Sequence, residues 1–199
     1  MYKQFFKRII DFLFSLVIVF LLFVPLLAIA LVIKLESKGP IFFKQYRVGK
    51  DLKNFKILKF RTMTHIKRKV GNEPIIGKAV GVTKIGFYLR RFKVDEIPQL
   101  INVLLFQMSL IGPRPSMPEQ LLNMTENEKK RYNIKPGLTG LSQISGNIHL
   151  SWKERYKLDL VYVNNITFLN DFKILFRTIF IVIKGEEKFL NKPFQIRRR

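Results

Sequence analysis

Apolar residues form one long run near the start of the chain and shorter, patterned runs after it. The run from Phe12 to Ile33 contains no charged residue, and a helix of roughly 20 apolar residues can cross a bilayer. Pro25 lies just past its midpoint, where it removes a backbone donor and clashes with the preceding turn. The pattern therefore predicts a membrane helix that is kinked at Pro25.

Basic residues flank this run on both sides. The positive-inside tendency favours a cytoplasmic position for both flanks. A re-entrant helix that bends at Pro25 and returns satisfies that tendency, whereas a single straight span with a tolerated proline does not, and the residues alone leave both open. The flanking cations are Lys3, Lys7 and Arg8 before the run, and Lys34, Lys38, Lys44 and Arg47 after it.

Residues beyond about Gly39 are expected to form one globular unit, so the predicted parts are a membrane anchor (1–38) and a cytoplasmic domain (39–199). Two β-rich runs, 41–48 and 55–63, are separated by turn residues and predict a β-hairpin. Residues 65–82 carry charges and three glycines with little periodicity, which indicates a mobile loop.

Helical signals dominate the rest of the chain. A short helix is predicted over 83–93, followed by a second helix with Asp95 as N-cap, Glu96 in its first turn, and an apolar face. Further predictions are a polar helix over 125–132, a turn-rich loop over 135–140, and a helix opened by a capping box at Ser151. The apolar face comprises Leu100, Ile101, Leu104 and Leu105.

The last predicted helix runs from about Asp171 to Lys184 and is stopped by Gly185. Its apolar stripe is rich in phenylalanine and has lysine and arginine beside it. Such a helix either contributes to the core or lies amphipathically in the membrane interface. The predicted fold class is thus α+β and mostly helical, with an N-terminal membrane helix, a small β-hairpin and amphipathic interfacial helices.

Charge narrows the classes of partner. Lys and Arg total 36 of the 199 residues against 14 Asp and Glu, a formal net charge of +22. This surplus favours phosphate-bearing partners: nucleic acid, anionic lipid or a phosphorylated substrate. The absence of cysteine excludes disulfides and thiolate zinc sites. A membrane-anchored nucleic-acid-binding module is permitted by charge, but no nucleic-acid-binding motif supports it.

Asp95 and Glu96 are the only acidic residues between Pro74 and Pro118, in a stretch that also holds six cations. A carboxylate pair beside cations can perform nucleophilic or acid–base chemistry on an anionic substrate, or hold a divalent metal. The alternative is two solvated charges on a helix. Pro113 and Pro115 restrict Arg114 between them, which suits an arginine that binds phosphate; the alternative is a Pro-rich turn with an incidental arginine.

Four segments, in this order and spacing, resemble the bacterial sugar transferase family, the monotopic phosphoglycosyl transferases, in its minimal short form. The resemblance runs from the apolar N-terminus to the last helix. An inactive scaffold with the family's fold is a further alternative, against which the intact motifs argue. The segments are Lys59-Phe60-Arg61-Thr62-Met63, Asp95-Glu96-Ile97-Pro98-Gln99-Leu100, Met108-Ser109-Leu110-Ile111-Gly112-Pro113-Arg114-Pro115 and Lys135-Pro136-Gly137-Leu138-Thr139-Gly140.

The resemblance implies transfer of a sugar-1-phosphate from a UDP-sugar to undecaprenyl phosphate, with Mg²⁺, release of UMP and a covalent intermediate. It implies that Asp95 is the nucleophile, that Glu96 assists it, and that both hold the metal. It also implies a re-entrant helix, both termini in the cytoplasm, and action at the anionic cytoplasmic face of the bacterial inner membrane. The implied substrate-binding residues are Lys59, Arg61, Arg90, Pro113, Arg114 and Pro115.

Two positions depart from the family's pattern. Val24 precedes Pro25, where relatives commonly have serine, and Asn147 follows Gly146, where many have arginine. The first departure bears on the angle of the bend and the second on contacts to sugar or phosphate. His149 is either a substitute for that arginine or an ordinary core or surface histidine. The sugar and the oligomeric state are not predicted.

Overall fold

The computed structural model describes residues 2–64, 79–185, 187–189, 194 and 196, together forming a mostly helical α+β fold with two small sheets. Most of the predicted mobile loop, at 65–78, lies outside the described residues. The elements are α1 (Lys7–Leu21), α2 (Phe23–Glu36), β1 (Phe42–Val48), β2 (Asn54–Phe60), α3 (Lys84–Arg91), α4 (Gln99–Leu104), β3 (Ser109–Ile111), α5 (Glu126–Lys129), β4 (Gly137–Thr139), α6 (Leu141–Ile144), α7 (Trp152–Asn164) and α8 (Phe168–Lys184).

The apolar run forms two helices that meet at Leu22 with a bend of 63°. The bend lies one turn before Pro25, the residue at which the sequence predicts the kink. A proline has no N–H to donate, and its ring crowds the carbonyl four residues earlier, which for Pro25 is that of Leu21, so a break ahead of the proline is expected. Within the described residues no single helix is long and apolar enough to cross a membrane, whereas α1 and α2 together meet that test by length and composition.

Polar contacts fasten both ends of the bent pair to the rest of the protein. At the start of α1, Lys7 Nζ donates to Asp171 Oδ2 of α8 at 2.7 Å, and Ser109 Oγ donates to Asp11 at 2.5 Å. At the end of α2, Glu36 accepts the backbone N–H of Lys84 at 2.7 Å, at the start of α3. All three carboxylates thus serve the junction between the apolar helices and the rest of the protein.

The predicted hairpin is confirmed. β1 and β2 pair antiparallel, from Phe42 opposite Phe60 to Val48 opposite Asn54. One 3₁₀ turn joins them, and in it Asp51 and Leu52 adopt left-handed backbone conformations with φ of 54° and 61°.

The second sheet contains part of a segment that was predicted to be a loop. Gly137–Thr139 forms β4, which pairs parallel with β3. A three-residue strand has no detectable periodicity, and its partner is distant in sequence. A Cβ on Gly137 would lie 2.0 Å from the Gly112 backbone nitrogen, so the close approach of these backbones requires glycine.

The main core lies between this sheet and the C-terminal helices. Leu110 and Ile111 of β3 pack in one buried cluster with Tyr162 of α7 and with Ile174 and Ile181 of α8. α8 begins at Phe168, earlier than predicted, because Thr167 caps it by accepting the Asn170 N–H. Its opposite face exposes apolar side chains: Phe168, Leu169, Phe172, Phe176, Ile179 and Ile183.

Candidate active site

The carboxylate pair lies in a turn between α3 and α4. Val94–Glu96 forms one 3₁₀ turn, entered through Lys93 in the left-handed conformation (φ 56°). α4 begins only at Gln99, so the prediction that Asp95 caps this helix is wrong. Pro98 lacks an N–H and cannot continue the bonding pattern from the preceding turn, which delays the start of the α-helix.

Two cations from distant parts of the chain hold Glu96. Lys59 Nζ, from β2, donates to Glu96 Oε1 at 2.5 Å, and Arg114 Nη2, from the loop after β3, donates to the same oxygen at 3.1 Å. The fold therefore brings together all four of the segments that were singled out in the sequence. Together with their neighbours they form the Glu96 crevice, lined by Arg47, Ile57, Lys59, Glu96, Gln99, Arg114, Pro115, Gly137 and Leu138.

The two neighbouring carboxyls have opposite pKa shifts. Burial raises the pKa of Asp95 to about 6, and the negative charge of Glu96 adds to the rise against the opposing charges of Lys59, Arg90 and Arg114. Burial alone would also raise the pKa of Glu96, but Lys59 and Arg114 outweigh it and hold that pKa well below its usual range. Pairs whose environments separate their pKa values are typical of acid, base and nucleophile assignments.

Arg90 and Arg47 add positive charge from α3 and β1. The charge of Arg90 acts on Asp95, and its Nη1 lies 3.6 Å from Met63 Sδ. Arg47 lines the Glu96 crevice, and burial together with the charge of Arg114 lowers its pKa to about 10. The sequence pattern predicts Arg47 only as a flanking cation of the apolar run, although its place in an alternating strand could have signalled a side chain that faces the rest of the protein.

Arg61 is not brought to the carboxylate pair. Its Nη2 donates to the carbonyls of Ile33 at 3.1 Å and Ser37 at 2.6 Å, at the end of α2. β2 ends at Phe60, so the alternation that would place Arg61 on the same face as Lys59 stops before it. In this structure Arg61 therefore caps α2, and its role in substrate binding stays a prediction.

The loop that carries Arg114 is fixed through its backbone. The Gly112 N–H donates to the Thr139 carbonyl and the Gly137 N–H donates to the Pro113 carbonyl, each at 2.9 Å. Pro113 and Pro115 are both buried, and Pro115 lines the crevice beside Arg114. These two prolines thus shape the loop from which the arginine projects.

Arg131 supports the same loop and was missed in the sequence. It is buried, and its Nη2 donates to the Arg114 carbonyl at 2.7 Å and to Asp159 Oδ2 at 2.5 Å. Its Nη1 donates to Ser116 Oγ, while Asp159 also accepts from Ser142 Oγ at 2.8 Å. Because Arg131 and Asp159 are far apart in sequence, no spacing signalled this pair.

Asn102 joins α4 to β2 and was also missed. Its Oδ1 accepts the Leu58 N–H at 3.0 Å, and its Nδ2 donates to the Lys56 carbonyl at 2.9 Å. The amide thereby fixes the strand that carries Lys59 against the helix that follows Glu96. In the sequence, Asn102 stood among apolar helix positions and gave no distinctive signal.

The donor set at the pair fits Mg²⁺ shared with a phosphate substrate. Among the described residues no group of three or more His, Asp and Glu could hold a metal by itself. Mg²⁺ is commonly bound through one or two carboxylates plus substrate phosphates, and Asp95 with Glu96 supplies two.

Asn147, which departs from the family's pattern, lies in a 3₁₀ turn with His149. Its backbone is in a left-handed conformation (φ 40°).

Comparison with known proteins assigns the family. Residues 2–185 match the model of the bacterial sugar transferase family. An uncharacterized sugar transferase, EpsL, of Bacillus subtilis is 42% identical over 155 residues, covering 78% of this chain and 76% of its own length. The chain therefore belongs to the bacterial sugar transferase family, as the sequence motifs predicted.

Two further relatives have specific names. UDP-glucose:undecaprenyl-phosphate glucose-1-phosphate transferase of Klebsiella pneumoniae is 39% identical over 195 residues, covering 94% of this chain. UDP-N-acetylgalactosamine-undecaprenyl-phosphate N-acetylgalactosaminephosphotransferase of Aeromonas hydrophila is 38% identical over 191 residues, covering 91%. The chain spans 41% and 44% of these two relatives' lengths.

Proposed function

We propose that this protein is a phosphoglycosyl transferase that moves a sugar-1-phosphate from a UDP-sugar to undecaprenyl phosphate, releasing UMP and initiating bacterial glycoconjugate synthesis. One observation carries the proposal: a carboxyl with raised pKa, Asp95, beside a carboxylate held by Lys59 and Arg114. The names of the relatives support the reaction class. They differ in sugar at nearly equal identity, so they favour no particular sugar.

The proposed chemistry has two displacements at one phosphorus. A carboxylate oxygen of Asp95 attacks the sugar-linked phosphorus of the UDP-sugar, the bond to the bridging oxygen breaks, and UMP leaves with that electron pair. An oxygen of undecaprenyl phosphate then attacks the same phosphorus, and the Asp95 carboxylate departs unchanged. A single nucleophile thus serves two phosphate substrates that arrive at one site.

Charge neutralisation makes this attack feasible, because an anionic nucleophile is repelled by the phosphates that it approaches. Arg114 is 40% exposed at its side chain and can donate to a phosphate while it still holds Glu96. Arg47, Lys59 and Arg90 add positive potential around the same point. Mg²⁺ held by Asp95 and Glu96 would, when bound, neutralise further diphosphate charge.

The bent pair of α1 and α2 is proposed to be a re-entrant membrane anchor at the cytoplasmic face of the bacterial inner membrane. Its outward side chains are apolar at both ends of the bend; Phe20 is 80% exposed and Val24 is 73% exposed. A returning helix pair would keep both termini in the cytoplasm and the Glu96 crevice near the acceptor's headgroup. Reporters fused to Met1 and to Arg199 test this topology, and reporters on opposite sides of the membrane would refute it.

The reaction is tested by measuring UMP release from a panel of UDP-sugars, with and without undecaprenyl phosphate. We expect one sugar, or a small set of related sugars, to give acceptor-dependent UMP together with a sugar-linked lipid diphosphate. The absence of UMP from every donor, with salt-sensitive binding to arbitrary duplex DNA, would favour a nucleic-acid-binding module instead.

Replacing Arg114 with alanine should weaken the use of the UDP-sugar. The loss of one charge-assisted contact is expected to remove about 1–3 kcal/mol of transition-state stabilisation and so to lower kcat/KM. Steady-state UMP release measures it, with Arg91→Ala, on the exposed face of α3, as a matched control. Unchanged kinetics in Arg114→Ala would show that this arginine does not bind the substrate.

The pH profile should report the pKa of Asp95. Because the nucleophile must be ionised and its pKa is about 6, kcat/KM should rise with pH through that value and level off above it, being about tenfold lower at pH 5 than at pH 7. Arg90→Gln removes an opposing charge and should move this limb to higher pH. A flat profile from pH 4.5 to 8 would contradict the assignment.

The same shift has a consequence for stability. The folded-state pKa of Asp95 lies above its ordinary value of 3.8, so the folded protein binds this proton more tightly than the unfolded chain does. Protonation of Asp95 therefore adds to the free energy of unfolding at low pH, and this addition is lost as pH rises from about 4 to about 6.

Removal of divalent metal should stop turnover. With EDTA present, UMP release is expected to fall to background and to return when Mg²⁺ is added in excess, because the diphosphate charge is then neutralised again. Ca²⁺ prefers more ligands and longer metal–oxygen distances, so adding Ca²⁺ in place of Mg²⁺ serves as the control. Full activity in EDTA would contradict the proposed metal.

A further inference from the structure

A second cationic cavity, of about 310 Å³, lies at the start of α1. It shares no described lining residue with the Glu96 crevice. We name it the Arg8 cavity. Its walls come from the first turns of the chain, the β1–β2 turn, the end of α4 with the start of β3, and the segment before β4. The lining residues are Lys3, Lys7, Arg8, Asp11, Lys50, Val103, Phe106, Met108, Ser109, Asn133, Ile134, Lys135 and Ile166.

Positive charge exceeds negative charge in this lining. Five of the lining residues are Lys or Arg, whereas Asp11 is the one carboxylate among them, and it already accepts the Ser109 hydroxyl. Two of the cations have carboxylate neighbours outside the cavity: Lys7 with Asp171 at 2.7 Å and Lys50 with Asp51 at 3.7 Å.

Like charges crowd the remaining side of the cavity. Burial lowers the pKa of Lys135, and the charges of Arg8 and Lys50 lower it further against the opposing charge of Asp11. A bound anion would relieve this repulsion between neighbouring cations.

An aromatic ring holds two of these cations in place. The guanidinium of Arg8 lies 4.2 Å from the centre of the Phe106 ring, and Lys135 Nζ lies 5.1 Å from it. Phe106 adopts a left-handed backbone conformation (φ 58°), which is uncommon and costly for a bulky side chain. Phe12 of α1 stacks on the same ring at 5.6 Å. The strained residue thus presents Arg8 and Lys135 together above an apolar floor.

We propose that the Arg8 cavity binds the phosphate headgroup of an anionic membrane lipid, at a place separate from the substrates' crevice. Two features beyond charge point to a lipid. The floor contains Val103, Met108 and Ile166, which suits the apolar part of an amphiphile. The exposed apolar side chains of α1 begin directly after Arg8, with Ile9 at 41% and Leu13 at 53% exposure.

This inference rests on the proposed membrane association and not on the proposed reaction. Asp95→Asn should lose UMP release but still bind the lipid, so failure of the one proposal is distinguishable from failure of the other.

Native mass spectrometry of the full chain in detergent, titrated with phosphatidylglycerol or phosphatidylcholine, tests the site. We expect phosphatidylglycerol adducts to outnumber phosphatidylcholine adducts. The double substitution Arg8→Gln with Lys135→Gln should weaken phosphatidylglycerol binding at least about tenfold, because two charge-assisted contacts are lost. Lys153→Gln with Lys157→Gln, on the exposed face of α7, removes the same charge and should bind like the unaltered protein.

Further measurements make the result decisive. Arg8→Lys with Lys135→Arg keeps both charges and should retain phosphatidylglycerol binding. Its thermal unfolding midpoint should match that of the neutral pair, which is the double substitution Arg8→Gln with Lys135→Gln. Equal binding by the neutral pair and its control would overturn the site. Displacement of phosphatidylglycerol by millimolar inorganic phosphate would identify a general anion site and overturn the lipid assignment.

Discussion

Replacing Asp95 with asparagine is expected to lower kcat for UMP release by about 10⁴-fold or more, the scale seen when a covalent nucleophile is removed. The amide has nearly the same shape as the carboxyl, so the turn of Val94–Glu96 and its backbone bonds should persist. Because an amide is a far poorer nucleophile, the covalent step should fail while substrate binding survives. Full-chain protein in detergent with the preferred UDP-sugar provides the measurement.

A matched control and a trapping experiment sharpen this test. Asp51→Asn makes the same chemical change at an exposed turn position, 59% exposed at the side chain, and should leave turnover unchanged. Rapid quenching with a donor labelled in its sugar-linked phosphate should place label on the peptide that contains Asp95. Product formation without label on that peptide, or normal turnover in Asp95→Asn, would refute the covalent mechanism.

Replacing Arg131 with methionine is expected to destabilise the fold by about 3–5 kcal/mol, since it leaves the buried carboxylate of Asp159 without its cation. The pair is nearly inaccessible, with side-chain exposures of 2% and 1%. Domains of this kind have about 5–15 kcal/mol of stability in total, so the loss is a large fraction. Thermal unfolding in detergent should show a midpoint lower by about 6–20 °C.

The double substitution Arg131→Met with Asp159→Leu separates charge from position. An apolar pair of similar volume removes the stranded carboxylate, so much of the stability should return. The Arg114 carbonyl nevertheless loses its donor, and KM for the UDP-sugar should stay raised while stability recovers. Recovery of both would show that Arg131 does not position Arg114. Lys129→Met, a partly exposed neighbour, should change stability by less than about 0.5 kcal/mol.

Local chemistry made part of the fold predictable. The hairpin was predictable because turn residues separate two β-rich runs. The capping box of Ser151 and Glu154 is present and opens α7, and Gly185 ends α8 with φ of 88°. β4 was not predictable, since its identity as a strand depends on the distant backbone of β3. Asp95 was misplaced at a helix start because aspartate is a common N-cap residue, whereas α4 begins only after Pro98.

The candidate site was likewise predictable only in part. Asp95, Glu96, Lys59 and Arg114 were found because the motifs that contain them are recognisable one at a time, and the structure brings them together. The supports behind them were missed. Arg131 and Asn102 act through contacts between segments far apart in sequence, and a pattern read along the chain contains no information about such pairs.

The polar contacts that hold the apolar helices bear on any attempt to shorten the chain, if the bent pair is the proposed membrane anchor. Deleting residues 1–38 would take away Lys7, which neutralises the buried Asp171, and the two carbonyls that accept hydrogen bonds from Arg61. It would also take Glu36 from the first amides of α3. Each orphaned buried group costs about 1–3 kcal/mol, so the shortened protein should misfold even though every residue of the Glu96 crevice is retained. Polar replacement of the outward apolar side chains, with the junction left whole, is the sounder route to solubility.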